Sequence, residues 1–356
     1  MENLTLSYDK LCKITESSGA NLCGVSEAKS LGSKAFKKWQ DKGGQGDLEY
    51  LKKDPDFYFT PTNLLKEAKS VLIFLFFYED SSYNLLECPS GFARVARFAY
   101  GKNYHKVIKK NLESIAKLIS EEIKSDDFKY RVFVDAVPLQ ERSFARNANL
   151  GFIGNSSMLV NEDFGSYFFI SEIITNITIT DIPIKKRREY SNNCDSCNNC
   201  LKACVNNVKK EGFFSVNRCT SYLTIEKKGV IKKEDWKLLG DWIFGCDFCQ
   251  VACPFNAKGK KIAHRLNLGA SITKNGLVSI KDLLTIKDDK EFLKRFAGTS
   301  FMRAKRENII RNSLIVLANQ KNIKFLDIIE SLSNNDESRV VRCTAKEVFE
   351  ELLLSL

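Results

Sequence analysis

Between residues 194 and 253 the chain places eight of its twelve cysteines, and their spacing limits the possible folds more than any other feature. CDSCNNCLKAC sets Cys194, Cys197, Cys200 and Cys204 in a C-x2-C-x2-C-x3-C run, and CDFCQVACP sets Cys246, Cys249 and Cys253 in a C-x2-C-x3-CP run. Two-residue spacers let successive thiolates wrap one iron-sulfur cube, and in two-cluster ferredoxin modules the fourth cysteine of the longer run ligates the other cube. The pairing that follows is Cys194, Cys197, Cys200 and Cys253 on one 4Fe-4S cluster, with Cys204, Cys246 and Cys249 on a second. Ile243 stands where a regular repeat would carry the missing ligand, and Cys219, in NRCTSYLTIE, is its replacement. Zinc sites also use sets of four cysteines, although three cysteines at consecutive two-residue intervals mark a cluster more than zinc. Cys12, Cys23, Cys88 and Cys343 stand apart from this spacing and read as buried small apolar residues.

At 356 residues the chain is too long for a ferredoxin-like module alone and has room for two or three domains. Its 44% hydrophobic and 28% charged content is that of a globular protein with a sizeable core. The start, MENLTLSYDKLCKITESSG, has no apolar signal region, and no run approaches the roughly 18 apolar residues of a membrane span. A cytoplasmic protein with no membrane association and with reduced thiols is the expectation.

Residues 1–183 mix strand and helix patterns. SVLIFLFFY (70–78) and YRVFVDAVP (130–138) read as strands, YHKVIKKNLESIAKLISEEI (104–123) as an amphipathic helix, and SYFFISEIITNITIT (166–180) as further sheet. The expected architecture is therefore an α/β (α+β) N-terminal domain over 1–183, a small two-cluster ferredoxin-like module over 184–265, and an all-α tail over 266–356. The basic link IKKRREY (184–190) marks the first boundary. FLDIIESL and SRVVRCTAKEVFEELL in the tail have the look of one HEAT-type helix pair.

Lys and Arg total 55 against 44 Asp and Glu, a net charge of +11. The cations gather at Lys102, Lys106, Lys109 and Lys110, at Lys185 to Arg188, at Lys258, Lys260, Lys261 and Arg265, and at Arg303, Lys305, Arg306 and Arg311. Such stretches are the footprint of phosphate-backbone binding, or else solvated helix faces. Two clusters make an electron conduit and leave open what is reduced.

Several strings together resemble one family, the epoxyqueuosine reductases, which act in the last step of queuosine synthesis in bacterial transfer RNA. They are RVARFAYGKNYHK (94–106), VDAVPLQERSFARNANLGFIG (134–154), NEDFGSYFFISEI (161–173), RCTSYLTIE (218–226), FGCDFCQVACPFN (244–256) and FAGTSFMRAKRENIIRN (296–312). The resemblance implies a cobalamin in the N-terminal domain, without a protein axial ligand, reduced to Co(I) by electrons from the clusters. The epoxide of the modified wobble base would become an alkene with loss of water. Asp135 matches the family's catalytic acid, and a carboxyl held neutral by burial would suit that task. Arg97, Asp135, Ser156, Ser157 and Ser221 are the expected cobalamin contacts. Arg142, Arg303, Lys305, Arg306 and Arg311 are the expected transfer-RNA contacts, so charge reversal at Arg303, Arg306 and Arg311 should weaken RNA binding with both clusters intact. His105 is expected on a helix surface. An unidentified low-potential electron donor and a monomeric state complete the picture. A corrinoid reductase of a small molecule, or an electron carrier, would share the clusters.

The family pattern is not followed everywhere. Tyr58 and Thr60 stand in YFTP where the pattern has an arginine, Asn155 ends GFIGN where it has a lysine, and Asn103 opens NYH where it has an aspartate. Lys102 and Lys106 are the candidates to replace the missing charge.

Overall fold

The structure, a computed structural model, describes residues 4–78, 87–183, 194, 196–210, 212–260 and 264–355. The link at 184–190, with its four cations and the boundary expected there, lies outside the described residues, as does Lys261. In chain order the first half runs β1 (Thr5–Ser7), α1 (Tyr8–Ser17), β2 (Leu22–Glu27), α2 (Lys34–Asp41), β3 (Ser70–Phe77), β4 (Phe92–Val95), α3 (Tyr104–Ile123), β5 (Tyr130–Phe133), α4 (Glu141–Asn147), β6 (Phe152–Ile153), β7 (Leu159–Val160), β8 (Phe168–Thr175) and β9 (Thr178–Thr180).

Strands β2, β3, β8 and β5 lie side by side in that order, every neighbour antiparallel. The described sheet is thus of the α+β kind. SVLIFLFF is buried along its whole length because both faces of β3 are covered. Leu72, Phe74 and Phe76 pack toward Ile108, Leu112, Ile115 and Ile119 of α3, whereas Val71, Ile73, Leu75 and Phe77 pack with Phe144 and Ala145 of α4. The α3 stripe repeats at three and four residues, as an amphipathic helix requires. Its Asn103 cap accepts the His105 N–H. Asn caps about as well as Asp, so the departure from the family pattern at 103 leaves this helix start intact.

One expectation fails in this half. The strand read over 130–138 pairs only as far as Phe133, because Asp135 takes a left-handed conformation, φ +46°, and turns the chain out of the sheet.

The second half runs β10 (Lys209–Lys210), β11 (Phe213–Phe214), β12 (Trp242–Phe244) and β13 (Leu277–Ser279), with short helices α5 (Asn199–Ala203), α6 (Thr220–Ile225), α7 (Phe248–Val251) and α8 (Pro254–Ala257) around the cysteines. Then follow α9 (Ile280–Leu284), α10 (Asp289–Phe296), α11 (Lys305–Asn319), α12 (Leu326–Asn335) and α13 (Arg339–Leu353). A second sheet has the order β12-β4-β13 and so takes one strand from each of the three stretches of sequence. One hydrophobic core joins Ala93 and Val95 of β4 to Ile243 of β12, Ile280 of α9, Ile315 of α11 and Val348 of α13. Gly245 allows the close approach: at φ +71° a Cβ there would meet that of Ala96 at 2.5 Å.

Candidate active site

Asp135 sits at the turn that ends β5, and its side chain is 64% exposed. The burial expected for this acid is not found; behind it lie two other carboxyls, Glu172 buried and Glu141 half-buried. Tyr104, at the start of α3, donates its hydroxyl to Asp135 Oδ2 at 2.9 Å. The Tyr104 ring is stacked on Phe169 with centroids 4.0 Å apart and on His105 at 4.2 Å. Burial, then the Asp135 charge, push the phenol well up, so it stays a donor. His105 Nε2 lies 3.9 Å from Asp135 Oδ2, so this residue belongs to the site and not to an unengaged helix surface. Its Nδ1 lies 2.8 Å from Asn103 Oδ1, which assigns the proton to Nδ1 and leaves Nε2 an acceptor toward Asp135. Burial and, less strongly, Arg303 push the imidazole down, against the pull of Asp135, which favours that neutral form.

Behind the turn, Glu141 Oε1 accepts the Asp135 N–H at 2.9 Å. Burial and the Asp135 charge push the Glu141 carboxyl up to about 8, with Arg142 opposing. Glu172, in the middle of β8, is fully buried, and neither of its oxygens has a hydrogen-bond partner among the described residues. Burial first, then Glu141 and Asp135, drive its pKa far up, so it is neutral. Sequence reasoning missed both; a glutamate inside the apolar run FFISEII was the available signal. Alongside the turn, an open recess of about 540 Å³ is lined by His105, Lys109, Arg131, Val134 and Ala136 among others.

Most of the interactions among the cysteines run within the two sets expected from spacing, and one crosses between them. Cys200 feels the charges of Cys194, Cys253 and Cys197, and Cys253 those of Cys194 and Cys197. Cys249 feels Cys219 first, then Asp247, then Cys200 of the other run and Cys204, while Cys246 feels Cys249 and Cys219, and Cys219 feels Cys204. Burial pushes Cys200, Cys219, Cys246, Cys249 and Cys253 up as thiols. Backbone N–H groups of Leu201, Ser221, Tyr222, Phe248, Phe255 and Asn256 point at these sulfurs and oppose the shift. Desolvated thiolates ringed by N–H donors suit an iron-sulfur cube, whose irons supply the balancing charge. Among the described residues no three His, Cys, Asp or Glu side chains lie close enough to share a single ion. Ile243 explains the displaced ligand, since it is buried in β12 between β4 and α11 while Cys219 enters from the start of α6.

The polar residues expected around a corrinoid lie against these sets. Ser156 lines a cavity with Cys194, Cys197, Cys200 and Cys253, and Ser221 directs its N–H at Cys219. The Ser157 carbonyl accepts from Arg142 Nη1. Arg97 donates its N–H to Asp247 Oδ2, between Cys246 and Cys249, and its guanidinium lies over the Tyr100 ring.

Comparison with known proteins decides the family. Residues 59–136 match the model of "Epoxyqueuosine reductase QueG, DUF1730", and residues 193–256 that of the "4Fe-4S double cluster binding domain". An epoxyqueuosine reductase of Francisella cf. novicida is 32% identical over 333 residues, covering 90% of this chain and 89% of that protein. The chain belongs to the epoxyqueuosine reductase family. Among solved structures, an epoxyqueuosine reductase with a tRNA-Tyr epoxyqueuosine-modified stem loop superposes with TM-score 0.80 at 27% identity, over 97% of this chain and 89% of that one. The Bacillus subtilis epoxyqueuosine reductase, solved with its catalytic aspartate loop swung out of the active site, also gives TM-score 0.80, at 26% identity, over 97% of this chain and 90% of that one.

The epoxyqueuosine reductase frame leaves three of the five expected RNA contacts open to solvent. Arg142, Arg303 and Lys305 are exposed. Arg303 makes two 2.9 Å bonds to Glu226, and its charge reaches His105, Tyr50 and Asp135, which puts it at the rim of the site. Arg306 and Arg311 are a correction: they are 2% and 0% exposed and meet no solvent-borne phosphate. Arg306 pairs with Asp336 at 2.5 Å and donates to the Ile286 carbonyl. Arg311 donates to the carbonyls of Lys227, Gly229 and Leu223, and burial lowers it to about 10. An arginine inside IIRNSLIVLA was the signal for burial. Tyr58 is buried, its hydroxyl donating to the Tyr50 carbonyl, so it does not replace an arginine in kind. The cation near Asn155 is Lys209, 3.1 Å from its carbonyl, in place of Lys102 or Lys106. Cys12, Cys23, Cys88 and Cys343 are half-buried, and the sulfurs of Cys12 and Cys23 lie 3.7 Å apart.

Proposed function

We propose that this protein reduces epoxyqueuosine to queuosine at the wobble position of transfer RNA, with two 4Fe-4S clusters and a cobalamin. The observation that carries the reading is the Tyr104–Asp135 hydrogen bond beside an open recess, in a chain that also carries the two cysteine runs. Opening the epoxide to an alkene consumes two electrons and two protons and releases water. When bound, a corrinoid would supply the two-electron chemistry needed to cleave the C–O bonds. Arg97, Ser156, Ser157 and Ser221 would hold its amides and phosphate. Asp135 gives a proton to the departing oxygen. Tyr104 fixes the direction of the carboxyl and stabilises the carboxylate left behind, while His105 Nε2 stands ready to exchange a proton with it.

The division of labour is proposed as 1–183 for catalysis and cobalamin, 184–265 for the clusters, and 266–356 for RNA, with α12 and α13 as a HEAT-type pair. Cys194, Cys197, Cys200 and Cys253 hold one cluster; Cys204, Cys219, Cys246 and Cys249 hold the other. Arg142, Arg303 and Lys305 contact the RNA backbone, and the target base leaves its stack to enter the cleft. The protein works as a cytoplasmic monomer fed by a low-potential donor; no helix among the described residues is long and apolar enough to cross a membrane.

Anaerobic reconstitution with iron, sulfide and cobalamin, then reduction with epoxyqueuosine-containing transfer RNA, tests this. Mass analysis of the released nucleosides is expected to show queuosine; an unchanged epoxide overturns the assignment.

A further inference from the structure

Asp135 meets two demands at once. Its carboxyl must point into the cleft, and its backbone must hold a left-handed conformation that costs a non-glycine residue about 1 kcal/mol or more. With the side chain 64% exposed, packing does not fix it. Two contacts do: Tyr104 on the carboxyl and Glu141 on the backbone N–H. We propose that Glu141 is a positioning residue for the catalytic acid, its side chain accepting the Asp135 N–H and so holding the turn that presents the carboxyl to Tyr104 and to substrate.

The surroundings of Glu141 suit this task. It stands at the first position of α4, and Phe144 and Ala145 of that helix are anchored in the core. Its neighbour Arg142 is committed to the Ser157 carbonyl and so tethers the helix start to the loop beside the first cysteine set. The charged and titratable groups that bear on Glu141 include Asp135, Arg142, Glu172 and Tyr104. Glu172 is the register partner of Phe133, the last paired residue of β5, and being neutral it places no second negative charge beside Glu141. The Glu141 carboxyl is therefore left to the amide of Asp135.

The inference rests on Asp135 as the acid of the proposed reaction. Hydrogen–deuterium exchange resolved to the Asp135 amide, on the cluster-loaded protein, reads the contact itself; turnover on epoxyqueuosine-containing transfer RNA reads its consequence. Glu141→Ala is expected to speed exchange at Asp135 by about 10-fold or more. It should lower kcat by about 100-fold with KM held within about 3-fold, because a misplaced acid costs rate more than binding. Glu141→Gln, which keeps an acceptor oxygen in place, should restore amide protection and most of kcat. Should the alanine variant fail to take up its clusters, Glu141→Asp, one methylene too short to reach, carries the same expectation. Wild-type exchange and kcat in the shortened variants overturn the proposal, as does fast exchange at Asp135 in Glu141→Gln. A wild-type protein that leaves the epoxide unchanged refutes the substrate assignment, while the exchange comparison still decides the role of Glu141.

Discussion

Asp135 is the acid of the proposed reaction, and the groups around it separate its possible roles. Asp135→Asn should lower turnover by about 10²–10⁴-fold while RNA affinity and both clusters persist; filter binding and iron analysis alongside the rate check this. Tyr104→Phe removes one hydrogen bond to the carboxylate and should cost about 10-fold. The buried carboxyls leave a mark on stability. Glu141 is raised from 4.5 unfolded to about 8 folded, so between those values the folded chain holds the extra proton and stability falls as pH rises. Glu141→Gln should flatten that fall in anaerobic thermal melts between about pH 5 and 8. Asp135 was singled out by its string, and the two cysteine runs by their spacing. The carboxyls behind Asp135 were not, because only the β5–β8 register brings Glu172 beneath Phe133.

At the scale of elements, α11 changed the meaning of a basic sequence. Its cations read as a phosphate-binding face, but the helix is buried on almost every side, and its polar residues bind the elements that carry cluster ligands. Arg311 bonds to the carbonyl of Leu223 in α6, and Asn312 to those of Thr224 and Ile243. A linear pattern shows charge but not which face a third element will cover; β3 was readable from its unbroken apolar run and α3 from its own periodicity. Arg306→Ala strands Asp336 and should cost about 3–5 kcal/mol, seen as a lowered melting temperature with no selective loss of RNA affinity. Cys219→Ala should leave about four irons per chain, with the Cys194 cluster formed; retention of about eight would break the pairing.

For the whole molecule, the charge of +11 makes RNA binding salt-dependent. Reversal of Arg303 and Lys305 should weaken transfer-RNA binding about 10-fold or more and flatten its salt slope, with the buried α11 arginines left alone. The sheet β12-β4-β13 was invisible to sequence reading because its partners lie far apart along the chain and each is short. It bears on how the protein is made. As the chain leaves the ribosome, Phe92–Val95 emerges early and finds its second neighbour only when Leu277–Ser279 has been synthesised. All eight ligand cysteines precede that closing strand. Iron and sulfide therefore have a window for delivery to a chain whose second sheet is still open, before the helical tail seals the cluster module from behind.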